Sequence, residues 1–286
     1  MEIIEKPISY SKRTDKFNFY GLGDMHLGVI HCHEELLKAK VREIASDKKA
    51  LWLGMGDYGD CITPSDFKRW EGKILSPWMR GNEDNIGPTQ VEKVDEILSP
   101  IWDKCLGLIE GNHDDSIRRF NHYDFLKELL KKANQKGRNI PYAGVQCFLV
   151  LKFKRVTADS SGDSWDCIIH ARHGEGSART SGARALAVLR LAASTANAHV
   201  IMMGHLHGQE SPDVPERLLY KRGKVKDHQA LATMTGAWLR AYMAGVPPCY
   251  LERWGTPPSK LGCPKFVIHP DKKQITLEKI AMAMEN

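Results

Sequence analysis

The sequence predicts a mixed α/β fold built as one large domain, and three observations predict it. Short apolar runs alternate with helical periodicity through the first half of the chain. Strand-length runs broken by turn signals dominate the second half. Five of the runs end in polar turns that carry glycine together with Asp, Asn or His. A chain of 286 residues is ordinary for a single α/β enzyme, so residues 1–286 are expected to form one core with elaborations.

Residues 17–22 alternate as a strand, and Gly21 and Gly23 bracket its end, where Asp24 and His26 arrive two apart on a turn. Leu36, Leu37, Val41 and Ile44 are at helical spacing and predict a helix over 34–45. It returns the chain to a second strand, 50–53, which ends at Gly54 and Gly56 ahead of Asp57 and Asp60, a β-α-β unit. His31, Cys32 and His33 sit where that helix begins. They adjoin no other ligand pattern and are assigned to capping or a substrate loop.

Residues 60–87 form a long polar insertion containing Trp70 and Trp78, expected to be a lid that packs. A helix over 88–102 leads into a buried run, 106–109. The turn Gly111-Asn112-His113-Asp114 follows, and a helix is expected from near Ser116, with a strong amphipathic stretch over 117–132. Runs at 145–154 and 165–170 flank Asp159-Ser160-Ser161-Gly162-Asp163 and read as a hairpin. The second run ends in His170-Ala171-Arg172-His173-Gly174. Strand side chains alternate in direction, so only one of the two histidines should reach a site at the strand end, and His173, beside a glycine, is chosen. A helix over 182–194 and a strand over 199–203 deliver His205 and His207. Strands are expected at 229–235, 266–269 and 274–280, with an accessory loop stretch at 246–262.

Composition excludes several classes. No apolar run approaches the roughly 18 residues of a membrane span, and residues 1–14 carry no signal-peptide segment. Seven scattered cysteines without a C-x-x-C pair argue against both a disulfide framework and a zinc ribbon, which makes a reducing, cytoplasmic compartment the default. The net charge of +6 is a mild basic excess. Its clusters, Lys131-Lys132, residues 217–226 and Lys272-Lys273, read as exposed helix ends and turns without interleaved aromatics.

The ordered set is D-x-H at Asp24 and His26, G-D-x-x-D at Asp57 and Asp60, G-N-H-D at 111–114, H-G at His173, and G-H-x-H at His205 and His207. In order and context it resembles the calcineurin-like metallophosphoesterase superfamily over roughly residues 17 to 208. The resemblance implies a four-layer αββα sandwich of two mixed β-sheets flanked by helices, with the site at the strand ends. It implies two divalent metal ions, Mn²⁺ first and Fe, Zn²⁺ or Ni²⁺ as alternatives. Asp57 would bridge them, with Asp24, His26 and His207 on one and Asn112, His173 and His205 on the other. A hydroxide held between the ions would attack phosphorus, His113 would act as general acid, and Asp60 would orient His113. Arg179 and Arg184, near a helix start, are candidates for the substrate phosphate.

Protein Ser/Thr phosphatases of the superfamily carry an arginine after the second aspartate, where this chain has Cys61, and lack G-H-x-H. The opening Asp24-Met25-His26-Leu27-Gly28 looks more like the branch of phosphodiesterases and repair nucleases. The expected function is therefore metal-dependent hydrolysis of a phosphodiester, DNA, RNA or a nucleotide. Phosphomonoester hydrolysis and a non-catalytic, metal-retaining interaction protein are the alternatives.

Overall fold

The structure is a computed structural model and describes residues 1–156, 161–221, 223–258 and 260–278. Two five-stranded mixed sheets face each other. The first has the order β1 (Glu2–Tyr10), β5 (Gln146–Val156), β6 (Ser161–Arg172), β7 (Val200–Met203), β10 (Leu231–Met234). The second has the order β12 (Gln274–Glu278), β11 (Lys265–His269), β2 (Phe17–Leu22), β3 (Ala50–Gly54), β4 (Cys105–Leu108). Strands β2, β3 and β4 run parallel, as do β6, β7 and β10, so each sheet brings the C-terminal ends of three strands to one edge.

Alternation along the strands builds the layers. Phe19, Leu53, Leu106 and Phe266 meet Leu149, Leu151, Ile169 and Val200 between the sheets. On the opposite face of the second sheet, Tyr20, Leu22 and Trp52 pack against α1 (Glu34–Ser46), α2 (Ile86–Leu98), α3 (Asn112–Asn121) and α4 (Phe125–Ala133). The outer face of the first sheet is covered by α5 (Ser181–Ala193) through Val188 and Leu191 against Ile201, Met203 and Ala232. This is the four-layer αββα sandwich. The short helix α6 (Tyr250–Arg253) belongs to the 246–262 stretch. No described helix is long and apolar enough to cross a membrane, and all seven cysteines are free.

Several expectations need correction. The helix expected from Ser116 begins at Asn112, so Asn112 and His113 are its first residues rather than part of a preceding turn. The amphipathic stretch 117–132 is two helices. His122 adopts a left-handed conformation (φ 54°), its N–H bonds back to Arg118 O, and Asp124 caps the next helix by accepting from Lys127 N. Arg217, Lys221, Lys224 and Lys226 lie on the antiparallel strands β8 (Arg217–Lys221) and β9 (Lys224–His228), where helix ends and turns were expected. Strand β1 has no period-2 pattern strong enough to predict it, and it gains its place by pairing in parallel with β5. The β5–β6 hairpin is present, while Asp159 and Ser160 of its expected turn, and residues 279–280 of the last expected strand, lie outside the described residues.

Phe19 is fully buried between the sheets. Phe19→Ala should cost about 3–5 kcal/mol, read as a lower urea midpoint at unchanged slope; a loss under 1 kcal/mol would contradict the packing described.

Candidate metal centre

The loops after β2, β3 and β4 and those after β6 and β7 converge at one edge of the sandwich. Main-chain bonds hold them together: Asp24 N and Met25 N donate to Gly56 O and Asp57 O at 2.8 Å each, and Gly204 N donates to Arg172 O. Asp24, His26, Asp57, His205 and His207 all have left-handed backbones, with φ between 48° and 67°. Such conformations cost roughly 1–3 kcal/mol each outside glycine and persist where surrounding structure over-determines them, commonly at functional sites.

Two groups of donors result. Asp24, His26 and His207 form one, and Asp57, His173 and His205 the other, with Asn112 between His173 and His205. In the first, His26 Nε2 lies 3.0 Å from His207 Nε2, which stands 3.4 Å from Asp24 Oδ1. In the second, His173 Nε2 is 3.3 Å from Asp57 Oδ2 and 3.0 Å from Asn112 Oδ1. Asp57 Oδ2 also faces the first group, 3.9 Å from His26 Nε2.

Second contacts aim the rings. His173 Nδ1–H donates to Met55 O at 2.7 Å, joining the two sheets, and His205 Nε2–H donates to Gly176 O at 2.9 Å. That leaves His205 Nδ1 as a lone pair 2.7 Å from Asn112 Oδ1. His170, three residues before His173, stacks on Phe148 and bonds Thr195 Oγ1, outside the cluster.

The donor set fits a cation on three counts. Adjacent ligands of an octahedral ion lie about 3 Å apart for bonds of about 2.1–2.2 Å, which the His26–His207 and His173–Asn112 separations of 3.0 Å match. Lone pairs face each other at His205 and Asn112. Two carboxylates, Asp24 and Asp57, are fully buried, and histidine supplies the counter-charge at Asp57. Burial opposes the charge on His173, but the Asp57 carboxylate overrides it and raises the imidazole to about 10, while His173 and His113 hold Asp57 well below the usual carboxylate range against burial. By contrast, burial, with the His207 ring beside it, pushes His26 down to about 3, so it offers a neutral ring.

The two remaining predicted residues lie beside this cluster. Burial lowers His113 to about 4, and its Nδ1–H donates to the main-chain carbonyl of Asp60 at 2.5 Å. The expected carboxylate contact needs correction: Asp60 Oδ1 is 3.9 Å from His113 Nδ1 and nearer, at 3.5 Å, to His26 Nδ1. Its carboxyl is raised by burial to about 6.

A cavity of about 180 Å³ opens onto Asp57, Asn112, His113, His205 and His207. Arg179 lines it. Arg184 does not: it is buried and paired with Glu210 Oε1 through Nε and Nη2 at 2.8 and 2.7 Å, which corrects its assignment to phosphate. Three wall residues were missed. Arg69, from the 60–87 insertion, is braced by Asp66 Oδ2 and Ser116 Oγ, and Tyr250 and Trp254 come from the 246–262 stretch. Only the Asp66-x-x-Arg69 spacing within the insertion offered a signal.

No protein-family model matches the chain, and no curated protein does. Among solved structures, one similar chain is a conserved uncharacterized protein from Streptococcus pneumoniae TIGR4, described as a predicted phosphoesterase. It has 11% identity and a TM-score of 0.32, over 89% of this chain and 83% of that one. So distant a likeness leaves the function to rest on the site itself.

Gly111 packs against Asp57 so closely that a Cβ would fall 2.1 Å from Asp57 Oδ1 and 2.3 Å from Asp57 N. Gly111→Ala should therefore displace Asp57 and weaken Mn²⁺ binding at least tenfold by calorimetry. Gly182→Ala, in open space on α5, should bind as the parent does. Equal affinity in all three proteins would remove Asp57 from the centre.

Proposed function

We propose that the protein is a metal-dependent phosphoesterase that hydrolyses a phosphodiester in a nucleic acid or nucleotide. The observation that carries this reading is the position of Asp57, whose Oδ2 faces imidazoles of both donor groups beside a cleft lined by His113 and arginines. Asp57 would be shared between two divalent ions, Mn²⁺ first by the mixed Asp, Asn and His donors, with Asp24, His26 and His207 on one side and Asn112, His173 and His205 on the other. When bound, the ions polarise the phosphoryl oxygens and lower the barrier to attack of water on phosphorus.

The chain's own residues supply the rest. Arg69 and Arg179, on the cleft wall, hold the phosphate oxygens; Asp66 and Ser116 restrict the Arg69 guanidinium, so little of its freedom is lost on binding. Asp60 O fixes the His113 tautomer with hydrogen on Nδ1, leaving Nε2 as the ring's second site. An anionic phosphate in the cleft raises the depressed basicity of that nitrogen, and Nε2 then protonates the leaving oxygen.

Two substitutions separate metal binding from proton transfer. Asp57→Asn should lose at least one metal per chain by elemental analysis and reduce turnover by orders of magnitude; two retained metals with normal turnover would overturn the shared-ligand role. His113→Ala should keep the metals yet slow alkyl diesters by roughly 10²–10⁴-fold, sparing bis-nitrophenyl phosphate, whose leaving group needs no proton. Equal loss on both would make His113 structural. On the parent protein with Mn²⁺, bis-nitrophenyl phosphate should outpace mono-nitrophenyl phosphate, and affinity for DNA or RNA should fall steeply with salt. A preference for the monoester or a phosphopeptide would sink the diester reading. No turnover with two metals bound would favour the non-catalytic alternative.

A further inference from the structure

Outside the centre, one more group of ligand-type side chains comes together among the described residues. His31, in the loop between β2 and α1, meets Cys249 and Glu252 from the α6 turn, and a ring nitrogen, the thiol sulfur and a carboxylate oxygen all lie within 4.8 Å of one another. His31 is 1% exposed, yet neither ring nitrogen has a hydrogen-bond partner. Glu252 Oε1 stands 3.6 Å from Nε2, and the Pro247 carbonyl lies near the ring without completing a hydrogen bond. A buried imidazole is normally satisfied. Here both nitrogens are open, and the surrounding groups are an oxygen donor and a sulfur donor.

We propose that His31, Cys249 and Glu252 form a zinc site separate from the Asp57 centre, fastening the α6 wall of the cleft to the loop that follows His26. The donor chemistry selects the ion: one nitrogen, one sulfur and one oxygen suit Zn²⁺ and not Mg²⁺ or Ca²⁺. The spacing agrees, since neighbouring ligands of tetrahedral Zn²⁺ lie about 3.3–3.7 Å apart and the His31–Glu252 separation is 3.6 Å.

Charge agrees as well. Burial lowers His31, which keeps its lone pair, and raises the Cys249 thiol, which stays protonated until an ion displaces that proton to solvent. Neutral imidazole, thiolate and carboxylate with Zn²⁺ make a unit without net charge, suited to a buried position. The placement gives the site a consequence. Tyr250 and Leu251, next after Cys249, line the cleft, and their segment is also held by a small apolar cluster of Val29, Ile74, Leu239, Leu251 and Cys249 itself, by Cys249 N donating to Glu252 Oε1 at the start of α6, and by an Arg253–Glu71 ion pair.

Cobalt makes the site visible, because the Asp57 centre has no sulfur ligand. Metal-free full-length protein titrated with Co²⁺ should develop a thiolate-to-Co²⁺ charge-transfer band in the near ultraviolet. Cys249→Ser should abolish the band and lower bound Co²⁺ by one equivalent, and His31→Ala should weaken Co²⁺ binding in this band at least tenfold. Absence of the band in the parent protein, or its survival in Cys249→Ser, overturns the proposal. So does unchanged metal stoichiometry in Cys249→Ser.

Discussion

Asp114 ties the loop after β3 to the loop after β4: its Oδ2 accepts from Asp57 N and from Gly111 N at 2.9 Å each, and its Oδ1 from Tyr58 N at 3.3 Å. The carboxyl is fully buried, and burial together with nearby Asp57 raises it to about 8. Its three main-chain donors, two from the loop after β3 and Gly111 N at the N-terminal end of α3, are what make an acidic group tolerable there. The position of Asp57 follows from this tie. His113 N, in the first turn of α3, donates to Asp57 Oδ1 at 2.9 Å, which leaves Oδ2 to face the imidazoles on either side. Gly111 must be glycine because the tie brings its backbone against the Asp57 carboxylate.

That local arrangement is useful only because the two sheets present it from both sides. The second sheet supplies Asp24, His26, Asp57 and Asn112 from three parallel strand ends, and the first supplies His173, His205 and His207 from two. Neither set alone makes up either donor group. The His173–Met55 hydrogen bond and the bonds from His205 N to the Asp24 carboxylate, at 3.0 and 3.1 Å, cross between them. The left-handed conformations at five donor positions are therefore a cost carried by inter-sheet packing, and loosening the apolar layer beneath should disturb the centre before it unfolds the domain.

The strands that carry the donor motifs, and the motifs themselves, were legible in the sequence because both are local signals. Residues 17–22 alternate in hydrophobicity, residues 50–53 are a short unbroken apolar run, and each donor motif lies within a few residues of its strand end and contains a glycine or adjoins one. What failed was tertiary or too subtle. The break at His122 turns on one left-handed residue inside a continuous amphipathic pattern. Arg184 stands near a helix start, as a phosphate ligand would, and only the fold brings Glu210 to it. Asp60 has the expected spacing from Asp57, but spacing does not say whether carbonyl or carboxylate will point at His113. Tyr250 lies far along the chain from every motif and reaches the cleft by folding alone.

Tyr250 and Asp60 each border both His113 and His26, which couples the proposed acid to a candidate ligand. The Tyr250 ring lies 5.8 Å from His113, 6.1 Å from His26 and 6.4 Å from His207, centroid to centroid, so one aromatic wall borders the proposed general acid and two candidate ligands. From the opposite chemistry, Asp60 offers its carbonyl to His113 and its carboxyl oxygen to the neighbourhood of His26. His26 and His113 themselves meet edge to face at 4.6 Å. In this packing two neutral rings are comfortable and two cationic rings are not. A cation bound at His26 would keep that ring neutral at its metal-facing nitrogen, so in the proposed reaction His113, held at Nδ1 by the Asp60 carbonyl, would be the one ring of the pair to carry a transferable proton.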